Sequence, residues 1–569
     1  MSNVAGASDR GPDHEFIVIG AGLCGLYALH RLLETGRDVI ALEAHPGLGG
    51  TWYKNRYPGC RFDSESYTYG YSFSADLLQE WDWSEHFAAQ PETLRYLNHV
   101  ADRFHLRRHI RFDSVVRSAV FDDHTSTWTL ELGDGQRLTC RFLLTALGLL
   151  SAPMKPRIPG IQSFRGVSFH TYDWPEGLDL TGKRVGVIGT GSTGVQIIAE
   201  LAGRVAGLDV FQLKPNWCAP LNNSPIGAEE MAHIKASYDE IFARCAETPG
   251  GFIHGPDRRP FHEVSREERL ALWERLYASP GFGIWLGNFR DILLDEDANR
   301  EFSDFVAGKI RERVHDPVTA EKLIPRDHGF GVHRVPLETG YYEAYNHESV
   351  RLVDLEETPI VEINETGVAT SAGQFDLDVI VYATGFDAIT GSYDRIDFRG
   401  RDGVKLRERW ADGPTTYLGA LIAGFPNLVM LGGPHSASVA TNFPRAIETS
   451  VDWAAHLFAH VTDLGCNRLE CEPGAEKEWT QHIQDLYQRQ LLRKAKSWFT
   501  GYNPNIPGHD RTRYLIYTGG APRYRRELDE VAGDGYRGLV FSSPGEVPHL
   551  TSTACQREGE QRMRGVEHD

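Results

Sequence analysis

Residues 16–25 read Phe-Ile-Val-Ile-Gly-Ala-Gly-Leu-Cys-Gly, an apolar run that stops on a G-x-G-x-x-G turn. Beyond it Leu26, Leu29, Leu32 and Leu33 recur at helical spacing, and a second apolar run follows at 39–42. This is the order strand, turn, helix, strand. In such a unit Gly20 permits the tight turn, Gly22 lets a pyrophosphate approach the backbone, and Gly25 lets helix and strand pack closely. The anion then rests on the amino end of the helix. Glu43 stands 23 residues beyond Gly20, at the end of the second strand, where a carboxylate accepts from a ribose hydroxyl. A glycine turn between ordinary elements is the alternative; the strand–helix context and the acid favour a nucleotide.

The same order returns at 184–212, with the turn Gly189-Thr190-Gly191-Ser192-Thr193-Gly194. Its second strand ends differently, on Leu213 and Lys214 with no carboxylate. An acid there repels a 2′-phosphate whereas Lys214 attracts one, so NADPH is expected over NADH, the alternative being a solvated lysine on a loop. Two dinucleotide units in one chain imply a flavin and a nicotinamide held ring to ring, because hydride transfer requires contact. The fold class expected is α/β: two Rossmann-like dinucleotide-binding domains, for FAD and NADP, with a helical insertion.

The chain has 569 residues, room for several cores. Lys and Arg number 59 against 78 Asp and Glu, a formal charge of −19, which disfavours a nucleic-acid partner. The eight cysteines show neither a CxxC pair nor a metal-ligand spacing, so no metal is expected and the thiols are read as reduced. No secretory or transit segment is visible at the amino end. The apolar runs at 142–154 and 417–433 are broken by Gly, Pro or Asn and too short to span a bilayer. A cytoplasmic protein with no membrane partner is expected, its state as monomer or homo-oligomer undecided.

Organisation follows from the pattern. Residues 1–150 are expected to begin the FAD domain and 151–222 the NADP domain. Helical periods then take over between 223 and 331: Met231, Ile234, Tyr238, Ile241 and Cys245 keep one face, as do Phe302, Phe305, Val306 and Ile310. Ser265 with Glu268 reads as a capping box. Strand-like segments resume near 350, 360 and 379, so 332–389 is expected to complete the NADP domain. Residues 546–569 are charged and aperiodic, a tail expected to fray. Within the third strand segment, 378–387 ends in small residues, Ala383, Thr384 and Gly385, where a backbone passes close to a flat ligand or a buried strand simply turns.

Residues 164–175 read Phe164-Arg-Gly166-Val-Ser-Phe-His170-Thr-Tyr-Asp-Trp174-Pro175. This FxGxxxHxxxWP run, lying between two G-x-G-x-x-G units, resembles the signature of the type I Baeyer-Villiger monooxygenases, a family that includes phenylacetone, cyclohexanone and steroid monooxygenases. Gly50-Thr-Trp52, Tyr57-Pro58-Gly59 and Asp63, and the blocks at 333–346, 378–386, 424–434 and 497–508, look like family blocks as well. The resemblance runs from about residue 14 to 542 and implies an FAD domain built from both ends of the chain, with 390–545 as its second part.

The resemblance implies a single-chain flavoprotein in which NADPH reduces FAD, and the reduced flavin takes O2 to a C4a-peroxide. That peroxide attacks a small-molecule ketone, and the adduct rearranges to an ester or lactone. It implies that Arg334 is the catalytic cation and that Asp63, which also borders the cofactors, orients it. Trp52 and Trp498 are implied to flank cofactor and substrate, the latter on a mobile loop. His170 and Trp174, with Phe164, Gly166 and Pro175, are assigned to coupling domain movement with the cycle. Three departures stand out. Many relatives carry Arg at the position of Leu213 and Lys at that of His333, so Lys214 and His333 are left to hold the 2′-phosphate. The loop carries two extra residues around Asn503-Pro504, as in the subgroup acting on large-ring and polycyclic ketones, so a bulky cyclic or polycyclic ketone is the substrate expected. Two other readings stay open: oxygenation of nitrogen or sulfur by a related flavin monooxygenase, and a flavin-disulfide reductase or pure binding protein.

Overall fold

The computed structural model describes residues 11–437, 441–543 and 549–550. The strand His14–Ile19 and the strands Val39–Leu42 and Arg137–Thr145 pair in parallel on either side of it. They are the middle of an eight-stranded sheet. Their β-branched and leucine-rich runs are buried, as parallel strands covered on two faces must be. The helix Leu23–Glu34 crosses over between the first two, burying Leu26, Leu29 and Leu32. Two strands from much later in the chain join the same sheet: Leu428–Met430 beside Arg137–Thr145, and Asp397–Arg399 beside Val116–Asp122. The amino-terminal part and the segment after 390 therefore build one layer.

A second, five-stranded parallel sheet has Arg184–Ile188 flanked by Gly207–Gln212 and Val379–Tyr382, with Val350–Asp354 and Val167–His170 at its edges. The helix Ser192–Leu201 is its first crossover. Between these strands the chain leaves the sheet from about 223 to 331 and folds into helices, among them Arg266–Ala278 and Glu296–Arg313. The capping box is present: the Ser265 side chain accepts from the Glu268 backbone, and the Glu268 carboxylate accepts from Ser265. One expected helix is two. Ser237, at φ −109° and ψ 9°, separates Ala228–Ala236 from Tyr238–Glu247, yet Met231, Ile234, Tyr238 and Cys245 stay buried on one side. The break costs little because each short helix packs its own apolar stripe.

Among the described residues no helix is long and apolar enough to cross a membrane, and no group of His, Cys, Asp or Glu is arranged to hold a metal ion. Seven cysteines are buried and none of them is paired in a disulfide; the eighth, Cys555, lies outside the described residues. Most of the expected carboxyl-terminal tail also lies outside them, except His549–Leu550, which pair with the strand Leu539–Ser542.

Candidate active site

The two glycine turns are built alike. Gly20 sits at φ 106°, and a Cβ on it would stand 2.5 Å from the Ala146 carbonyl oxygen. Gly189 sits at φ 109°, and a Cβ there would stand 2.5 Å from the Ala383 carbonyl oxygen. In both turns the third glycine packs on the first: a Cβ on Gly25 or Gly194 would come within 1.9 or 2.2 Å of the Gly20 or Gly189 carbonyl oxygen. The middle glycine differs. A Cβ on Gly191 would meet nothing within 4 Å, and one on Gly22 would meet Gly50 at 3.4 Å and Gly49 at 4.0 Å. Both helices begin on these middle glycines without a side-chain cap, which leaves backbone N–H groups free for an anion.

One cavity of about 1370 Å³ runs past both turns. Gly20, Gly22 and Glu43 border it from the first unit, and Gly191, Ser192, Thr193, Thr384 and Gly385 from the second. Glu43 is held by backbone: Oε2 accepts from Ala21 N at 2.8 Å and Oε1 from His45 N at 3.0 Å. Burial raises its carboxyl above the usual range, and these N–H groups pull it back. Each oxygen keeps a lone pair for a ribose hydroxyl. The uncapped helix ends, the carboxylate and the continuous cavity fit an FAD beside an NADP. Tyr57 fixes the units against each other, its hydroxyl donating to Gln196 Oε1 at 3.0 Å.

Arg334 and Asp63, 271 residues apart, meet in this cavity with Nη2 3.2 Å from Oδ2. Burial pushes the Asp63 carboxyl up and the Arg334 guanidinium down, and each opposes the other's shift. The guanidinium stays a cation, because its ordinary value lies so far above neutrality. Its carbon lies 4.6 Å from the centre of the Phe282 ring and 5.8 Å from that of Trp285. These two aromatic residues come from the helical block and have no sequence motif; the only trace is the glycine- and aromatic-rich run Gly281-Phe-Gly-Ile-Trp-Leu-Gly-Asn-Phe289. Trp52 borders the cavity with its indole N–H bonded to the Tyr69 hydroxyl at 3.0 Å, and half-buried Trp498 borders it from the loop.

Of the signature run only Tyr172 borders the cavity; Phe164, Gly166, His170, Trp174 and Pro175 stand apart from it. His170 ends the edge strand; its Nδ1 accepts from Tyr172 N at 3.1 Å, so the proton is on Nε2, which donates to the Gly385 carbonyl at 2.9 Å. Trp174 packs edge-on against Phe169, and Phe164 lies over Gly166. Pro175 follows, and the neighbouring Asp173 pairs with Lys54 of the first unit at 2.9 Å. The run thus ties the Thr384–Gly385 turn to both layers.

At the second ribose position the structure departs from expectation. Lys214 does stand at the strand end, but its Nζ is 2.8 Å from Glu356 and 3.4 Å from Asp327. His333 stacks on His328 with ring centres 3.7 Å apart, and burial with that neighbour holds it down to about 4, neutral at pH 7. Neither residue borders the cavity. A 2′-phosphate reaching Lys214 has two carboxylates to displace. Cys24 and Cys60 border the cavity as free thiols pushed up to about 12 by burial, which makes neither a redox-active thiolate.

Comparison with known proteins follows the same lines. Residues 18–79 match the family model described as an NAD(P)-binding Rossmann-like domain. The chain is 46% identical over 549 residues to a 2-oxo-Δ3-4,5,5-trimethylcyclopentenylacetyl-CoA monooxygenase of Pseudomonas putida, covering 95% of this chain and 100% of that protein. It is 39% identical to a Baeyer-Villiger monooxygenase of Pseudooceanicola batsensis, over 93% of this chain and 96% of that one. Among solved structures, a complex of OTEMO with FAD and NADP superposes with a TM-score of 0.90 at 45% identity, covering 94% of this chain and 100% of that chain. With full-length identity of this order and the paired glycine turns in one cavity, the chain belongs to the type I Baeyer-Villiger monooxygenases, the NADPH-dependent flavoenzymes with an α/β fold of Rossmann-like domains.

Proposed function

We propose that this chain inserts one oxygen atom of O2 into a bulky cyclic or polycyclic ketone, giving an ester or lactone, with Arg334 and Asp63 at the reacting centre. FAD bound at the first turn and reduced by NADPH supplies the oxygen nucleophile. The chain contributes a fixed cation. Arg334, clamped by Asp63 and shelved on Phe282, places a guanidinium where negative charge develops and donates to the ketone oxygen as it becomes an alkoxide. Asp63 sets the orientation of that fork and keeps it from swinging to solvent. The uncapped helix ends at Gly22 and Gly191 hold the two pyrophosphates. Trp52 and Trp498 restrict the approach of water.

The observation that carries this reading is the meeting of Arg334 and Asp63 in the cavity that both glycine turns share. The bulk of the substrate is supported by the Asn503-Pro504 extension of the loop and by an apolar wall that includes Phe252, Phe289 and Phe443. Replacing Arg334 by Ala should leave reduction of the flavin by NADPH intact and abolish ester formation. Full ester yield from that variant removes Arg334 from the chemistry. Side-by-side turnover of a polycyclic ketone, a small cyclic ketone and a thioether separates the proposed substrate from a small ketone and from heteroatom oxygenation.

A further inference from the structure

The loop that brings Trp498, Tyr502, Asn503 and Asn505 to the cavity starts at the short turn Trp498–Thr500 and returns at Arg513. Its base is closed tightly. Arg513 N donates to the Thr500 carbonyl at 2.7 Å. The Arg513 side chain is buried; its Nε donates to the Gly501 carbonyl at 3.2 Å and its Nη1 to Thr390 Oγ1 at 3.4 Å. Residues 501–512 form neither helix nor strand, and they pass the segments that flank Gly385. There Asn503 Nδ2 lies 3.4 Å from Met154 Sδ, and His509 Nδ1 lies 3.6 Å from Asp387 Oδ1. The second distance is just too long for a hydrogen bond, and that nitrogen is buried with no other hydrogen-bond partner. Asp387 itself is fixed: its backbone N–H bonds the Ala152 carbonyl at 2.9 Å, and a Cβ on Gly391 would stand 2.5 Å from its side chain.

A neutral imidazole with its proton on Nδ1 donates to a carboxylate about twice as strongly as to a neutral acid. His509 is neutral at pH 7, because burial and Arg513 hold it down to about 4. The other charged groups acting on Asp387 are Asp394, Arg395 and Arg513. The two arginines are cations throughout, and Arg511 acts on Arg513 from the loop. Asp394, also raised by burial, is turned to Arg407 at 3.8 Å and to Arg513. Burial and Asp394 raise the Asp387 carboxyl to about 6, so it is the group at this contact that changes charge between pH 8 and 5.5. Neither Asp387 nor His509 borders the cavity, so neither touches the reacting atoms.

We propose that Asp387 is the catch on which the loop closes: its carboxylate takes the His509 Nδ1–H and seats Trp498 at the cavity, so that Asp387 and His509 are positioning residues coupling NADPH oxidation to ester formation. This rests on the ketone-oxygenating reading above, in which Trp498 restricts water. With the catch open, NADPH, H+ and O2 give NADP+ and H2O2: hydride and proton both go to O2, and the ketone is left unchanged. The test uses the FAD-loaded full chain with a cyclic ketone, measuring H2O2 and ester formed per NADPH oxidised from pH 8 to 5.5. Asp387→Asn places a neutral acceptor at the catch at every pH. Its share of H2O2 at pH 8 should exceed that of wild type by at least about threefold. That ratio should fall towards one by pH 5.5, where wild type is itself mostly protonated; any effect of pH on the flavin cancels in it. His509→Ala should follow the same course, and His509→Asn, which offers an amide N–H in place of Nδ1, should restore coupling. The double variant Asp387→Asn, His509→Ala should be no worse than either single one. A variant-to-wild-type ratio independent of pH overturns the proposal, as a purely structural role would give. So does wild-type coupling in His509→Ala, which decides the matter even if Asp387→Asn fails to fold. Wild type that turns all NADPH into H2O2 at every pH, with no ester, sinks the underlying activity instead.

Discussion

The guanidinium of Arg334 is held by a carboxylate at 3.2 Å and by aromatic faces on the helical side, a bracket that leaves it charged and aimed. Arginine and aspartate could be matched from the resemblance, each in its own block of sequence. The rings under them could not, because aromatic residues in a helical segment read equally as core until burial and neighbours are known. Lys214 shows the opposite failure: its position was legible, its partners were not. Glu356 and Asp327 come from distant segments and already occupy the ammonium group. Replacing Glu356 by Gln should therefore lower KM for NADPH a few-fold while leaving that for NADH unchanged, since the pair is half-exposed and worth less than about 1 kcal/mol. Initial rates with the two nucleotides check it, and equal shifts for both would show that Lys214 does not meet the 2′-phosphate.

The glycine turns were the most legible elements, since their strand–turn–helix order is local and their spacing is set by steric demands of a few residues. The structure adds which glycine does what. Gly194 has no room, with the Gly189 carbonyl oxygen 2.2 Å from any added Cβ, whereas Gly191 has open space around it. Gly194→Ala should lower the melting temperature by several degrees, the strain being of order 2–3 kcal/mol. Gly191→Ala should melt like wild type and raise KM for NADPH, because its methyl group stands where the pyrophosphate approaches. Thermal melts and NADPH titrations of the two variants distinguish these roles; a destabilised Gly191→Ala would show that the open space is needed by the protein itself. The helical block was legible as helices and little else. Its break at Ser237 passed unseen because the apolar period continues through it.

At the scale of the whole molecule, the interrupted second sheet followed from counting strand, turn and helix segments, and the layer built from both ends of the chain from the resemblance alone. How the two layers meet did not, because the contacts of Tyr57 with Gln196 and of Asp173 with Lys54 join segments with no shared pattern. Burial across the molecule also sets its response to acid. His435 is held down to about 3, and His333 and His509 to about 4, all below the usual histidine value of about 6.5. Asp387 is raised to about 6 by burial and by Asp394. Between pH 6 and 4.5 the unfolded chain binds more protons at the three histidines and the folded chain more at Asp387, so unfolding takes up about two protons net. Stability should fall by roughly 3 kcal/mol per pH unit as pH drops through that window, with the contribution of these histidines fading to nothing above about pH 8. Denaturant melts from pH 8 to 4.5 check the slope, and a flat profile contradicts it. The central claim, that the cation at position 334 directs one atom of O2 into a ketone, is tested most directly with ¹⁸O2. NADPH oxidised by wild-type enzyme in the presence of a cyclic ketone should yield an ester carrying one ¹⁸O atom, while Arg334→Ala oxidises NADPH and yields none. An ester without label from wild type, or a labelled ester in full yield from the variant, would contradict the account.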